Sequence, residues 1–198
     1  MEWKDLNLKT FKKLEQAIKI EEEEPILKNA LVVQALFGIN TDNLTLTQLG
    51  KYIKELEFLN SPCPKVLAKT KYTINDNKYS VKLDLSKLSV TQYMDYQELV
   101  KTQDYAKILT VFIIPEDHNY NDGYDIKSVE KDINDMSIVD VLAIYNFFTI
   151  AFLQCTKALK DYSLKLMKKG KMNKALVDQT SAYMESLISY QQSLNGLI

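Results

Sequence analysis

The residues that could carry chemistry in this chain are few: one histidine, two cysteines and a loop at 116–125 dense in acids and amides. His118 alone cannot assemble the multi-imidazole site of a zinc protein. Cys63 and Cys155 are far apart and form no C-x-x-C pair. Cys63 sits in the rigid run Ser61-Pro62-Cys63-Pro64 and Cys155 in an apolar helical run, so both read as structural thiols of a reducing compartment. His118 paired with a cysteine or serine nucleophile is the enzymatic alternative, and no local motif supports it. The stretch from Asp117 to Gly123 looks like a calcium loop. An EF-hand places glycine at position 6 and a bidentate glutamate at position 12. Counted from Asp117, glycine falls at position 7 and Ser128 at position 12, so the register fails. The five glycines are scattered, which excludes a P-loop, and G-x-S-x-G does not occur. No catalytic, cofactor or metal residue is assigned, and the chain is expected not to be an enzyme.

Charge narrows the partners. The chain carries 25 basic and 26 acidic residues in 198, a formal net charge of −1. Every basic residue is lysine. Without arginine there is no bidentate grip on phosphate or guanine, so specific nucleic-acid binding is not expected. The abundance of lysine, asparagine, isoleucine and tyrosine is that of an AT-rich coding sequence. Two charge runs stand out. Residues 21–24 are all glutamate and read either as a solvated helix junction or as a site for a cation or basic partner. The lysine cluster of 165–174 reads as a solvated helical tip, with phosphate or membrane-surface contact as the alternative. The stretch 138–153 is strongly apolar, but Asp140 and Asn146 interrupt it and a span needs about 20 clean apolar residues. It is therefore expected to be a core helix, with no membrane as partner. The first residues, Met-Glu-Trp-Lys-Asp, lack the apolar region of a secretory leader.

The elements that must position these residues are mostly helical, as expected for a chain that is 46% hydrophobic and 26% charged. The spacing predicts a helix over 7–20 with Phe11, Leu14 and Ile18 on one face. A second helix over 26–37 follows Pro25 and stops at Gly38. The capping box Thr45–Gln48 opens a third, with Leu46, Leu49, Ile53 and Leu56 on one stripe, halted by the prolines at 62 and 64. Strands at 71–74 and 79–85 flank 75–78 as a β-hairpin, which packs on helices or pairs with another chain. Ser89 and Gln92 form a second capping box. Residues 105–114 are read as helix, with a buried strand at 108–114 as the alternative. Asp125 caps a short helix to about 133.

The dominant helix runs over 137–169 and Gly170 stops it. Along it Val141, Tyr145, Phe148, Phe152, Cys155, Leu159, Tyr162 and Leu166 alternate at steps of four and three. Leu142, Ile144, Phe147 and Ile150 lie off this seam, so the first half is expected to be buried nearly all round. The last helix, about 174–194, repeats the spacing with Leu176, Thr180, Tyr183, Leu187, Tyr190 and Leu194. The fold class is thus mainly α with one small β-hairpin: a helical bundle with a long C-terminal antiparallel helical hairpin. The segments are 1–60, 61–170 and 171–198, read as one domain overall. Phe147, Phe148 and Phe152 are expected in the core. Leu159, Tyr162, Leu166, Leu176, Tyr183, Leu187, Tyr190 and Leu194 are the interface candidates, whether they close one bundle or meet a partner or a second copy.

Three stretches carry a resemblance. The first is Glu57-Phe-Leu-Asn60, then the hairpin, then Leu88-Ser-Val-Thr-Gln92-Tyr93 and Tyr96-Gln-Glu98. The second is Ile108-Leu-Thr-Val-Phe-Ile-Ile-Pro115 with Tyr120-Asn-Asp-Gly-Tyr124-Asp125. The third is Met136-Ser-Ile-Val-Asp140 leading to Tyr145-Asn-Phe-Phe148. Over roughly 49–169 this order resembles tail assembly chaperone-like and small virion structural proteins of tailed bacteriophages infecting Bacteroides-like hosts. The resemblance implies no site residues. It implies a morphogenesis protein whose partners are other phage tail or portal-region proteins, acting in the host cytoplasm during assembly. The alternatives are a permanent virion component, such as a ring, adaptor or packaged protein, and a phage enzyme or host-directed inhibitor.

Overall fold

In the computed structural model the described residues are 1–168 together with Ala175, Asp178 and Ala182. They divide into two compact units, Met1–Ile144 and the part that begins at Tyr145. The described residues are mainly helical with one small antiparallel sheet.

Local signals set most of the first unit. Helix α1, Leu8–Lys19, starts where the Asn7 side chain accepts a bond from the Thr10 N–H at 2.9 Å. Helix α2, Pro25–Phe37, has Pro25 in its first turn and ends at Gly38, whose φ of 66° is left-handed. Helix α3, Leu46–Glu55, and helix α4, Val90–Leu99, both open with the expected reciprocal capping boxes. Helix α5 is Tyr105–Leu109 and helix α6 is Ile126–Asp135, capped by Asp125. Helix α7, Ile138–Lys168, crosses from the first unit into the second.

The sheet is tighter than its sequence suggests and has one more strand. Strand β1, Lys71–Ile74, turns into β2, Asn77–Val81, through Asn75 and Asp76 alone, at φ 49° and 65°. Two consecutive left-handed residues make the turn whose twist suits a hairpin. That is why β2 begins at Asn77 rather than at Tyr79. It stops at Val81 because the Asp84 carboxylate accepts from the Ser86 N–H at 3.0 Å and starts a local turn. The third strand β3, Ile113–Pro115, pairs antiparallel with β2 in the order β1-β2-β3. The 105–115 stretch is therefore helix and strand in succession. The Thr110 hydroxyl donates to the Lys107 carbonyl at 2.6 Å and closes the helix, and Ser80 of β2 registers with Ile114.

Helix α6 lies against β1 and β3 and also touches α1 and α5. Around it the core collects Phe11, Leu14, Ile108, Phe112, Ile113 and Ile133, all buried. Asp132 of α6 joins them, only 4% exposed. Its carboxylate accepts from Asn77 Nδ2 at 2.7 Å, Asn75 Nδ2 at 3.0 Å and the Tyr79 hydroxyl at 2.5 Å. Burial alone raises an acid's pKa, but these three bonds outweigh it and hold the Asp132 carboxyl below its ordinary range. Burial first, and then the adjoining carboxylate, push the Tyr79 phenol far above its usual value. The hairpin is thus clamped to the helix by a buried charge with satisfied partners.

Two stripes differ from expectation. Ile18 is exposed and Ala17 takes its place in the core, because the buried row on α1 runs Leu8, Phe11, Leu14, Ala17. Leu46 is 74% exposed at the first position of α3, ahead of the buried Leu49 and Leu56.

In the second unit, Tyr145, Phe148 and Phe152 are buried, as are Thr149 and Thr156. Each threonine hydroxyl donates to the carbonyl one turn earlier, at 2.9 and 2.8 Å, which satisfies it without a partner helix. Burial is less complete than the sequence suggests. Ile150 is exposed and Phe147 half-buried, its ring edge-on to Phe148 at 5.1 Å.

Candidate partner-binding surface

His118 is exposed and stacks edge-to-face on Tyr124 at 5.9 Å between ring centres. The Tyr120 hydroxyl donates to Asp95 at 2.7 Å and pins the loop to α4. The Asp122 carboxylate accepts from the Asn119 backbone and side-chain amides at 2.5 and 3.3 Å, shaping a turn in the manner of an Asx residue. Gly123 supplies the left-handed φ of 75° beside it. Cys63 is buried, and burial pushes its thiol up to about 11, which leaves little thiolate at neutral pH. Cys155 is exposed. Among the described residues no group of three or more His, Cys, Asp or Glu is arranged to hold a metal. Among them, Ile138–Tyr162 of α7 is long and apolar enough to cross a membrane, with 56% of its most apolar window buried.

Of the interface candidates, Tyr162 is 59% exposed on α7. Leu159 and Leu166 lie on the same helix. Leu176, Tyr183, Leu187, Tyr190 and Leu194 lie outside the described residues.

A concave surface among the described residues lies elsewhere, between α1 and α2. It is a groove of about 610 Å³. From α1 and its cap it is lined by Lys13, Gln16, Ala17 and Ile20, and from α2 and its cap by Leu31, Gln34, Ala35 and Gly38. Both sets follow i, i+3, i+4, i+7, so each is one helical face. Two packed helices, with Ile39, Asn40 and Asp42 after α2, thus line a trough that mixes small apolar, polar and charged side chains. Ala17 and Ala35 keep the floor low. Ile20 of this lining is exposed, and in the sequence that follows it Ile26 and Leu27 are 54% and 53% exposed. Residues 21–24 stand between them as four glutamates.

A second apolar face belongs to α4. Val90, Tyr93 and Met94 sit at i, i+3, i+4 and are all exposed, while Tyr96 of the same helix is buried. Helix α4 therefore shows apolar side chains to both core and solvent.

The large residues of α1 and α2, whose spacing predicts the helices, do not disclose the groove. The available signal was a second stripe carrying alanines and a glycine. No family model matches the chain, and neither a curated protein nor a solved structure shows similarity to it.

Proposed function

We propose that the protein is a non-enzymatic assembly protein that seats an apolar helix of a partner in the α1–α2 groove. The observation that carries this reading is the pair of helical faces lining one trough, with Ile20 of the lining exposed and Ile26 and Leu27 exposed further along the same stretch of chain. A third helix laid between two packed helices completes a three-helix layer, the helix-in-groove mode of recognition. Covering each half-exposed aliphatic side chain contributes about 1 kcal/mol. That magnitude suits a reversible escort more than a permanent joint.

The setting we propose is bacteriophage morphogenesis, supported by the sequence resemblance to tail assembly chaperone-like proteins. In that role the groove shields a tail or portal-region helix until assembly. The second reading, a permanent virion component, is favoured by the additional apolar face on α4, which gives the protein two surfaces to bridge.

The test is affinity purification of the tagged chain from infected cells, as wild type and as Leu31→Asp, with particle proteomics alongside. The escort reading expects one tail protein to co-purify with wild type, to be lost with Leu31→Asp, and the chain to be absent from finished particles. A fixed copy number in particles selects the virion component. Co-purification indifferent to Leu31→Asp, with Ile20→Ser and Leu27→Ser equally silent, overturns the groove as the binding site.

A further inference from the structure

We propose that strand β1 is an open sheet edge that takes an extended, acid-bearing strand of a partner protein. This contact is separate from the α1–α2 groove and goes beyond the helix-binding reading.

Register shows which groups the edge offers. The Val81 N–H donates to the Thr70 carbonyl at 2.9 Å, and Tyr72 and Ile74 lie opposite Tyr79 and Asn77. Alternate residues of an antiparallel strand bond to the same neighbour. Thr70, Tyr72 and Ile74 therefore turn their main-chain groups to β2, and Lys71 and Thr73 turn theirs outward. In the order β1-β2-β3 that side is the edge of the sheet. Lys71 and Thr73 are exposed, and among the described residues neither makes a main-chain hydrogen bond there. The β3 edge offers less, because Pro115 has no N–H to give and Ile113 and Ile114 are buried. The chain ahead of β1 lengthens the open side. Residues 62–68 belong to no helix or strand, and among the described residues their main chain makes no hydrogen bond. Within that run Val66 is 43% and Leu67 90% exposed. An added strand supplies partners to the open main chain and cover to the apolar side chains beside it, the β-augmentation mode of recognition.

Charge selects the occupant. No acid falls between 58 and 75, whereas Lys65, Lys69 and Lys71 do. Asp140 answers Lys69 and Glu116 answers Lys71. Lys65 and Lys78, the exposed residue of β2 opposite Thr73, form no ion pair among the described residues. Pairing β1 with β1 of a second copy brings these lysines together, and lysine on an edge strand opposes such self-pairing. The same lysines favour a strand that carries acids along its solvent face. Lys71 and Thr73 mark that face, since Tyr72 and Ile74 are turned to the core. The occupant therefore alternates acidic and apolar residues.

The experiment titrates the full-length chain into a dye-labelled octapeptide of alternating glutamate and valine and follows fluorescence anisotropy. Saturable binding is expected, weakening with added salt. Thr73→Pro removes the outward N–H at a position where an edge strand tolerates proline, and is expected to weaken binding about tenfold or more. Opposite Lys71 and Thr73 in an antiparallel ladder stand the glutamates of the peptide. Methylating their nitrogens is expected to weaken binding to the wild-type chain by a similar factor, a control that leaves the fold of the protein untouched. Lys65→Glu with Lys78→Glu is expected to weaken the glutamate peptide about tenfold and to favour a lysine–valine analogue in its place. Circular dichroism of each variant checks that the fold is kept. Absence of saturable binding overturns the proposal, as does binding indifferent to both Thr73→Pro and peptide methylation, or equal binding of the glutamate and lysine peptides by the wild-type chain. Self-association of the chain alone that Thr73→Pro abolishes also overturns it, because the edge is then taken by a second copy.

Discussion

Replacing Asp132 tests how the sheet is held. Its carboxylate is 4% exposed and accepts three side-chain hydrogen bonds, from Asn75, Asn77 and Tyr79. A hydrogen bond to a charged partner contributes about 1.5–3 kcal/mol, so three give roughly 4.5–9 kcal/mol as a ceiling. The bonds share one acceptor and do not add, and the two asparagines retain access to water at the turn. Asp132→Ala is therefore expected to cost about 3–5 kcal/mol, a large part of the roughly 5–15 kcal/mol that holds a domain of this size. Urea unfolding followed by the fluorescence of the buried Trp3 and by circular dichroism measures it. Acid titration adds an independent reading. The folded-state pKa of Asp132 lies below the unfolded value of about 3.9, so its stabilisation is complete above that pH and is lost as pH falls through the folded pKa. In Asp132→Asn that acid-side loss is expected to be smaller than in wild type. A cost below about 1 kcal/mol for Asp132→Ala, with an unchanged acid limb for Asp132→Asn, would refute the clamp.

Other outcomes follow from single positions. Asp76→Gly is expected to stabilise by about 0.5–1 kcal/mol in thermal melts, because Asp76 holds φ 65° in the hairpin turn and glycine adopts it without strain. Ser89→Ala removes the acceptor for the Gln92 N–H at 3.1 Å and is expected to cost about 1 kcal/mol in the same melts. Under a thiol reagent at neutral pH, Cys155 is expected to react promptly and Cys63 only with unfolding, since burial raises the Cys63 thiol to about 11. Mass spectrometry of the labelled chain reads which cysteine reacted.

What the sequence disclosed was local. Asn7, Thr45, Ser89 and Asp125 announce their helices because a cap is decided within four residues. Pro25 and Gly38 bracket α2 for the same reason. The 105–115 stretch was ambiguous because it is apolar throughout. A buried helix and a buried strand then share one pattern, and the edge of β2 chose between them. Asp132 was one acid among 26 and invisible alone. Its signal lay in Asn75 at the turn and in Asn77 and Tyr79, polar-tipped residues two apart on one face of β2. The groove was hidden for a different reason. Concavity is made by what is small, and Ala17, Ala35 and Gly38 carry no hydrophobic weight in a periodicity count. On α7 the heptad pattern marked Tyr145, Phe148 and Phe152 correctly as buried, whereas Cys155 and Tyr162 on the same seam are exposed. Periodicity names a face; which part of it is covered depends on what is packed there.

The most direct test of helix binding in the groove is cross-linking mass spectrometry on the native complex, using the lysines beside the trough. Lys13 lines it, and Lys28 sits on α2 next to the exposed Leu27. The account predicts that Lys13 and Lys28 both link to one continuous amphipathic segment, and that Ile20→Ser with Leu27→Ser removes those links while leaving links within the chain intact. Partner links that avoid both lysines and gather instead at Lys101 or Lys107, beyond α4, would contradict it.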